Sequence, residues 1–301
     1  MIEKGIHLLA DELEPGAAVT PDELAQAHPL WGLDVQSLAP WVHRRQSFGG
    51  EHLDCWTSEA VEIAWPVLVS GPCGSSMDLA WRLAAQNALP PWSSILAVSQ
   101  QCGRGQTRRH WDSPPGNLYA AWLWPRLPEQ WTRLASLLAG YILCKALQVY
   151  VPDLRMKWPN DLLHGDAKVG GVLVEERKDL LLVGFGLNLS SAPGPQDMRA
   201  GAVAPAGHLS SLGHDFGILG LWLRLITPAY RELERMQAGE PGQFVRSMEE
   251  LLAWRGSRVR IRETGEGERL GTLIGLSEDG GLRLAEDAGE QVLYSGTIIP
   301  L

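Results

Sequence analysis

Apolar positions along the chain change period several times, and those changes predict the elements. Residues 6–13 and 21–28 read as short helices, the second opened by Thr20 as N-cap with Glu23 three residues on. Residues 63–69 read as a buried strand. It leads through Gly71-Pro-Cys-Gly-Ser75-Ser76 into an amphipathic helix over 77–88, ended by Pro90 and Pro91. Residues 93–99 form the next strand, 117–124 alternate like a strand, and 131–150 carry a long apolar helical stripe. Residues 180–189 are a strongly apolar strand, and 191–214 are a Pro/Gly/Ala-rich loop. Helices are expected over 219–237, disturbed at Pro228, and over 243–254.

Between these lies the segment 157–175, K-W-P-N-D-L-L-H-G-D-A-K-V-G-G-V-L-V-E, which reads as a hairpin. Pro159 keeps the preceding 155–158 from being a helix interior. Strands at 161–163 and 169–174 are joined by His164-Gly165-Asp166, with Gly165 supplying the permissive dihedral. The pattern changes again at Arg255. Short strands at 257–262, 270–276, 281–285, 291–294 and 297–300 predict a small barrel or SH3-like module.

A chain of 301 residues with 45% hydrophobic content buries a large core in one main domain plus a smaller one. The net charge of -9 disfavours nucleic acid as the main partner, because phosphate binding needs a concentrated basic face. The two helices near the start raise the question of a DNA-reading module. Residues 1–60 hold ten acids and three bases, a balance unfit for a recognition helix. Cys55, Cys73, Cys102 and Cys144 form no C-x-x-C pair, which argues against zinc and disulfide frameworks and for a reducing cytoplasm. No basic-then-apolar leader and no membrane-length apolar run are expected.

Four places carry candidate chemistry. Lys157 and Lys168 are two of five lysines, against twenty-one arginines, and Gly170 and Gly171 would let a bulky ligand approach the backbone. Such ammonium groups suit carboxylate or phosphate oxygens; a surface turn with solvated lysines is the plain alternative. Ser75 or Ser76 either caps the following helix or turns its hydroxyl into a pocket. The loop 100–111 is punctuated by Gly103 and Gly105 and carries Arg104, Arg108 and Arg109, which offer forks to phosphate or carboxylate. Neither the G-x-x-x-x-G-K-[ST] nor the G-x-G-x-x-G phosphate motif occurs. Asn188, beyond G-F-G-L, caps a turn or meets a ligand.

Four motifs stand in one order: S-S-M at 75–77, Q-Q-C-G-R-G-Q at 100–106 with Trp111, K-W-P-N-D…K-V-G-G at 157–171, and G-F-G-L-N at 184–188. Over residues 63–301 the chain resembles the biotin–protein ligase (biotin–[carboxylase] ligase) family. That resemblance implies an α+β fold, a mixed sheet with helices packed on it plus a small C-terminal SH3-like β-barrel. It divides the chain into a helical N-terminal extension of unknown role (1–62), a catalytic domain (63–254) and the C-terminal domain (255–301). It further implies that biotin and Mg-ATP give biotinyl-5′-adenylate, which a lysine of a carboxylase's biotin carboxyl carrier domain then attacks.

By resemblance, Lys168 and Arg104 are catalytic. Biotin falls to Ser75, Ser76, Met77, Gln100, Arg104, Gly105, Gln106, Lys168 and Gly171. ATP and the adenylate fall to Gly103, Arg104, Arg109, Trp111, Lys157, Asn160, Asp161 and Asn188. Asp161 acts on the incoming lysine or on Mg2+, and no resident metal is expected. The partners implied are the carrier domain, with no nucleic acid and no membrane, for a cytoplasmic monomer or homodimer. The chain also departs from the family. Its loop runs G-R-G-Q-T-R-R where the family has G-R-G-R-x-G-R, so Gln106 replaces a cation and Arg108 a glycine. In the family's D-S-T-N corner only the first serine is kept, with Gly74, Ser76 and Met77 in place of Asp, Thr and Asn. Alternatives are a lipoate or other cofactor-acid ligase of the same fold, and a non-catalytic biotin-binding relative.

Overall fold

The computed structural model describes residues 1–48, 51–106, 109–194, 196, 204–211, 216–263 and 267–301. In chain order the elements are β1 (Gly5–Leu9), α1 (Pro21–Ala27), α2 (Pro29–Ser37), β2 (Trp41–Phe48), β3 (Glu51–Ser58), β4 (Pro66–Ser70), α3 (Ser76–Ala85), β5 (Ser94–Ala97) and β6 (Leu118–Pro125). There follow α4 (Glu129–Thr132), α5 (Ala135–Gln148), β7 (Leu154–Lys157), β8 (Asp161–His164), β9 (Ala167–Arg177) and β10 (Leu180–Leu187). The chain ends with α6 (Ile218–Gln237), α7 (Pro241–Leu251), β11 (Arg258–Glu263), β12 (Gly267–Leu276), β13 (Leu282–Glu286), β14 (Gly289–Leu293) and β15 (Thr297–Pro300). Among the described residues no helix is long and apolar enough to cross a membrane.

Two compact units result. The first comprises Met1–Leu127, Val172–Ala192 and His208–Arg224. Its mixed sheet runs β2-β3-β1-β4-β5-β6-β10, with the later residues of β9 beside β10. The pairs β1–β4 and β4–β5 are parallel, and β6–β10 is antiparallel over eight residue pairs. The amphipathic helix α3 lays Met77, Leu79, Ala80 and Leu83 on this sheet, against Leu68, Ile95, Leu123 and Leu182.

Here the helical reading of residues 1–62 is corrected. Residues 6–13 hold no helix: Gly5–Leu9 is β1, paired on one side with β3 and on the other with β4. Ile2, Leu9, Leu53 and Cys55 belong to the same core as α3, so these residues complete the sheet. A run as short as Ile6-His-Leu-Leu fits either period, and pairing on both edges decides it. The helix opened by Thr20 does form, as α1, with a capping box in which Glu23 N–H donates to Thr20 Oγ1 and Thr20 N–H to Glu23 Oε2. Strand β6 is buried on both faces through Trp124 and does not follow the one-sided alternation expected, because α3 covers Ala121 and Leu123 while Trp222 of α6 packs on Trp122.

The second unit comprises Pro128–Gly171, Pro193–Gly207 and Leu225–Leu301. The helix expected over 131–150 is two helices, α4 and α5. Trp131, fully buried against Phe244 at 5.7 Å, fixes a tight turn in which Leu134 N–H donates to Trp131 O. Pro228 lies inside α6 without ending it, on an exposed side where water can replace its missing donor. The five short C-terminal strands form one antiparallel sheet in the order β14-β13-β12-β11-β15. Trp158 Nε1 donates to Gly280 O at 2.9 Å, so the K-W-P segment is tied to that sheet. A Cβ on Gly280 would lie 2.8 and 2.9 Å from Leu137 and Leu134 of the α5 region, so a side chain at this positive-φ position would force those leucines to move.

Candidate active site

In the first unit the corner from β4 to α3 is built around an amide. Gln100 Oε1 accepts from Ser76 N–H at 2.9 Å and from Ser76 Oγ at 3.1 Å, and Gln100 Nε2 donates to Ser113 Oγ at 3.0 Å. Ser75 occupies the N-cap position of α3, yet its hydroxyl makes no capping bond. Instead Ser75 Oγ accepts from Arg104 Nη1 at 3.4 Å. The capping reading of this serine is therefore not realised, and its hydroxyl faces the arginine loop instead.

The loop that follows turns back on itself. Trp111 N–H donates to Gly103 O at 2.8 Å and Gly105 N–H to Arg109 O at 2.7 Å. A side chain on Gly103 would strike the Trp111 carbonyl and Ser113 Oγ, so glycine is required there by space. Gln106 is half-buried and Arg109 exposed. Thr107 and Arg108, and with them the replacement of the family's glycine, lie outside the described residues.

Arg104 is held by carboxylates. Its Nη1 and Nη2 donate to the two oxygens of Asp78 at 2.7 and 2.8 Å, and its Nε donates to Glu175 Oε1 at 3.0 Å. Glu175 Oε2 accepts in turn from Trp81 Nε1 at 2.8 Å. The Asp78 and Glu175 contacts outweigh partial burial and push the guanidinium pKa further up, so this cation is permanent. The Asp78 pair stands half in water and is worth about 0–1 kcal/mol to the fold.

Two glycines of β10 explain where Met77 and Trp111 sit. A Cβ on Gly184 would lie 2.5 Å from Met77 Sδ, and one on Gly186 would lie 2.7–2.8 Å from three atoms of the Trp111 indole. Bare backbone therefore receives both side chains. Just beyond, Asn188 is buried, and the chain after it is pinned by Asn117, whose Oδ1 accepts from Leu189 N–H at 2.9 Å and Ser190 N–H at 3.0 Å.

In the second unit Lys157, Asp161 and Lys168 meet. Lys157 and Asp161 are direct cross-strand partners on β7 and β8, so they share a face. An unbroken register from Asp161↔Gly171 would send Lys168 to the opposite face. The register instead shifts, so that Leu162 pairs with Gly170 but Leu163 with Lys168. That bulge turns Lys168 onto the Asp161 side. Asp161 Oδ1 lies 2.5 Å from Lys168 Nζ and its Oδ2 lies 3.4 Å from Lys157 Nζ. Residues 205–207 hold the Lys168 backbone, with Lys168 N–H donating to Pro205 O and Gly207 N–H to Lys168 O. Asn160 is half-buried beside this group, and Gly171 pairs with Asp161.

Thus Ser75, Ser76, Gln100 and Arg104 are brought together in the first unit, with Met77 and Trp111 seated on β10, and Lys157, Asp161 and Lys168 in the second. Sequence reasoning missed Asp78, Glu175 and Asn117. The first two look like ordinary polar positions on an amphipathic helix and at a strand end. Only the spacing of Asp78 three residues after Ser75, one helical turn, hinted that both would face the same group.

Residues 70–188, which span the corner, the arginine loop and the lysine hairpin, match the biotin/lipoate A/B protein ligase family. Residues 256–299 match the biotin protein ligase C terminal domain, and with both in this order the chain belongs to the biotin protein ligase family. A biotin–[acetyl-CoA-carboxylase] ligase of Paracoccus denitrificans is 29% identical over 216 residues, 68% of this chain and 88% of the relative. The bifunctional ligase/repressor BirA of Bacillus subtilis is 27% identical over 74% of this chain and 70% of its own length. The solved structure of biotin protein ligase from Aquifex aeolicus in complex with biotin and ATP superposes with a TM-score of 0.65 at 26% identity, covering 78% of this chain and 99% of that one.

Proposed function

We propose that this chain is an ATP-dependent biotin–protein ligase, which forms biotinyl-5′-adenylate and passes the biotinyl group to a lysine of a carboxyl carrier domain. The observation that carries the reading is the set Lys157, Asp161 and Lys168, gathered on one sheet face by the bulge in β9. Joining a carboxylate to a phosphate requires cancelling the repulsion between two anions as the bond forms. Lys168 is assigned to the biotin carboxylate and acyl-phosphate oxygens, with Gly171 leaving room beside it. Lys157, Asn160 and Asn188 are assigned to the nucleotide side. Arg104, with Gly103, Gly105, Gln106 and Arg109, is assigned to the adenylate. Ser75, Ser76 and Gln100 are assigned to the ureido head of biotin, Met77 to its apolar part and Trp111 to a packing face over the ligand.

Among the described residues no three His, Cys, Asp or Glu side chains are grouped to hold a metal. Mg2+ carried on the ATP phosphates would need one or two carboxylates of the chain at most and would neutralise the leaving pyrophosphate. Asp161 is the carboxylate nearest in kind to that need, and it serves equally as a partner for the acceptor lysine. The same reading takes 63–254 as the catalytic region and 255–301 as the C-terminal domain, in a cytoplasmic enzyme. It gives no DNA-binding role to the acidic first sixty residues, whose strands are spent on the sheet.

Incubation with biotin, Mg-ATP and a purified carrier domain should release pyrophosphate and add one biotinyl group to the carrier by mass. Lipoate in place of biotin should do neither, because the amide and hydroxyls at Gln100, Ser75 and Ser76 match a ureido group better than a dithiolane. Folded protein that binds biotin but releases no pyrophosphate would overturn the catalytic assignment, and turnover with lipoate alone would overturn the substrate.

A further inference from the structure

The guanidinium of Arg104 has its fork already filled. Both Nη atoms donate to one carboxylate, that of Asp78, at 2.7 and 2.8 Å. This two-point geometry is the one by which arginine recognises either a carboxylate or a phosphate. The remaining face of the group is anchored separately, by Nε to Glu175 at 3.0 Å.

The two carboxylates are not equivalent. Glu175 is 23% exposed and has three partners: Arg104, Trp81 Nε1 at 2.8 Å and Arg177 Nη2 at 3.6 Å. Arg177 in turn lies over the Trp81 ring, 4.6 Å from its centroid. Asp78 is 49% exposed, and among the described residues Arg104 is its only hydrogen-bonding partner. It stands in the first turn of α3, where a carboxylate swung into water keeps a favourable helix N-terminus. Asp78 can leave at little cost, and Glu175 cannot.

We propose that Asp78 is an internal anion that occupies the phosphate seat of Arg104 in the ligand-free protein and is displaced by the nucleotide's phosphate. Glu175, backed by Trp81, is the positioning residue that keeps the guanidinium plane fixed during the exchange. This rests on the reading that Arg104 receives the adenylate phosphate. Its consequence is competition: every nucleotide bound must first displace Asp78, so affinity is held below what Arg104 alone would give.

The test is calorimetric titration of AMP into the wild type, Asp78→Asn, Glu175→Gln and Arg104→Ala, with thermal unfolding to check each fold. Asp78→Asn should bind AMP about two- to fivefold more tightly, the scale of a half-exposed ion pair. On the Arg104→Ala background the same change should gain nothing, which separates release of the fork from simple removal of a negative charge. Glu175→Gln should weaken AMP and raise the KM for ATP, leaving the KM for biotin in place. An AMP affinity unchanged or weakened in Asp78→Asn, an equal gain without Arg104, or no AMP binding by any variant would overturn the proposal. Biotin-dependent pyrophosphate exchange by the wild type judges the ligase reading separately. Exchange without an Asp78 effect leaves the enzyme and removes the competition; an Asp78 effect without exchange does the reverse.

Discussion

Asp161 stands between two ammonium groups, and the three charges are unequally exposed: the side chains of Asp161 and Lys157 are 15% and 10% exposed, that of Lys168 32%. The inner pair is a matter of fold. Lys168 is the group that can turn toward a ligand while Asp161 still has Lys157. Lys168→Ala should therefore cost the fold no more than about 1 kcal/mol, as for other partly exposed pairs. Adenylate formation should fall about 10²–10³-fold, the usual loss when one stabilising charge leaves a reaction centre. Pyrophosphate release and urea unfolding read the two effects, and unchanged release would remove Lys168 from its assigned role. At this scale the side chains that the fold gathers were legible: two lysines in an arginine-rich chain, an arginine between glycines, adjacent serines at a helix start. Asp78 and Glu175 were not, because a carboxylate's task depends on what a distant segment brings to it.

Strands and loops place these side chains through spaces that only particular residues leave. Gly184 and Gly186 sit two apart on β10, on one face, and receive Met77 and Trp111. Their replacement by alanine should differ because the incoming partners differ. Met77 meets the new methyl with a flexible thioether, so Gly184→Ala should cost under about 1 kcal/mol. Trp111 meets it with a rigid indole, so Gly186→Ala should cost about 1–3 kcal/mol and raise the KM for ATP or biotin as the loop shifts. The urea midpoints and KM values of the two variants test this, and equal effects would mean that Trp111 is not seated as described. The positions of the strands along the second half of the chain were readable because the apolar runs are bounded by Gly, Pro or Asp. Two things were not. The run at residues 6–9 gave no period long enough to tell helix from strand, and the one-residue bulge that turns Lys168 leaves no mark in the pattern of residue types.

For the molecule as a whole, the first sixty residues matter most through Asp34. It lies on α2, is 1% exposed, and accepts backbone N–H groups at the start of α6, from Leu219 and Gly220, each at 2.8 Å. Helix α6 carries Trp222, which packs edge-on against Trp122 of the sheet and donates to Ser94 Oγ. Burial pushes the Asp34 carboxyl up to about 7, against the backbone donors, which favour its charged form. In the unfolded chain it titrates near 3.8. Between those values the folded state holds a proton that the unfolded state has lost, so this group's contribution is full below pH 4 and drains away as pH rises through 7. At about 1.4 kcal/mol per unit, the change amounts to a few kcal/mol. Other carboxylates drive stability the other way over part of this range, so the measurement that isolates Asp34 is a comparison with Asp34→Asn. The stability advantage of the wild type over the variant, from urea unfolding, should shrink from pH 5 to about pH 7 and level off by pH 8. An advantage that stays flat or grows over that range would mean that Asp34 is ionised throughout and holds α6 as a carboxylate.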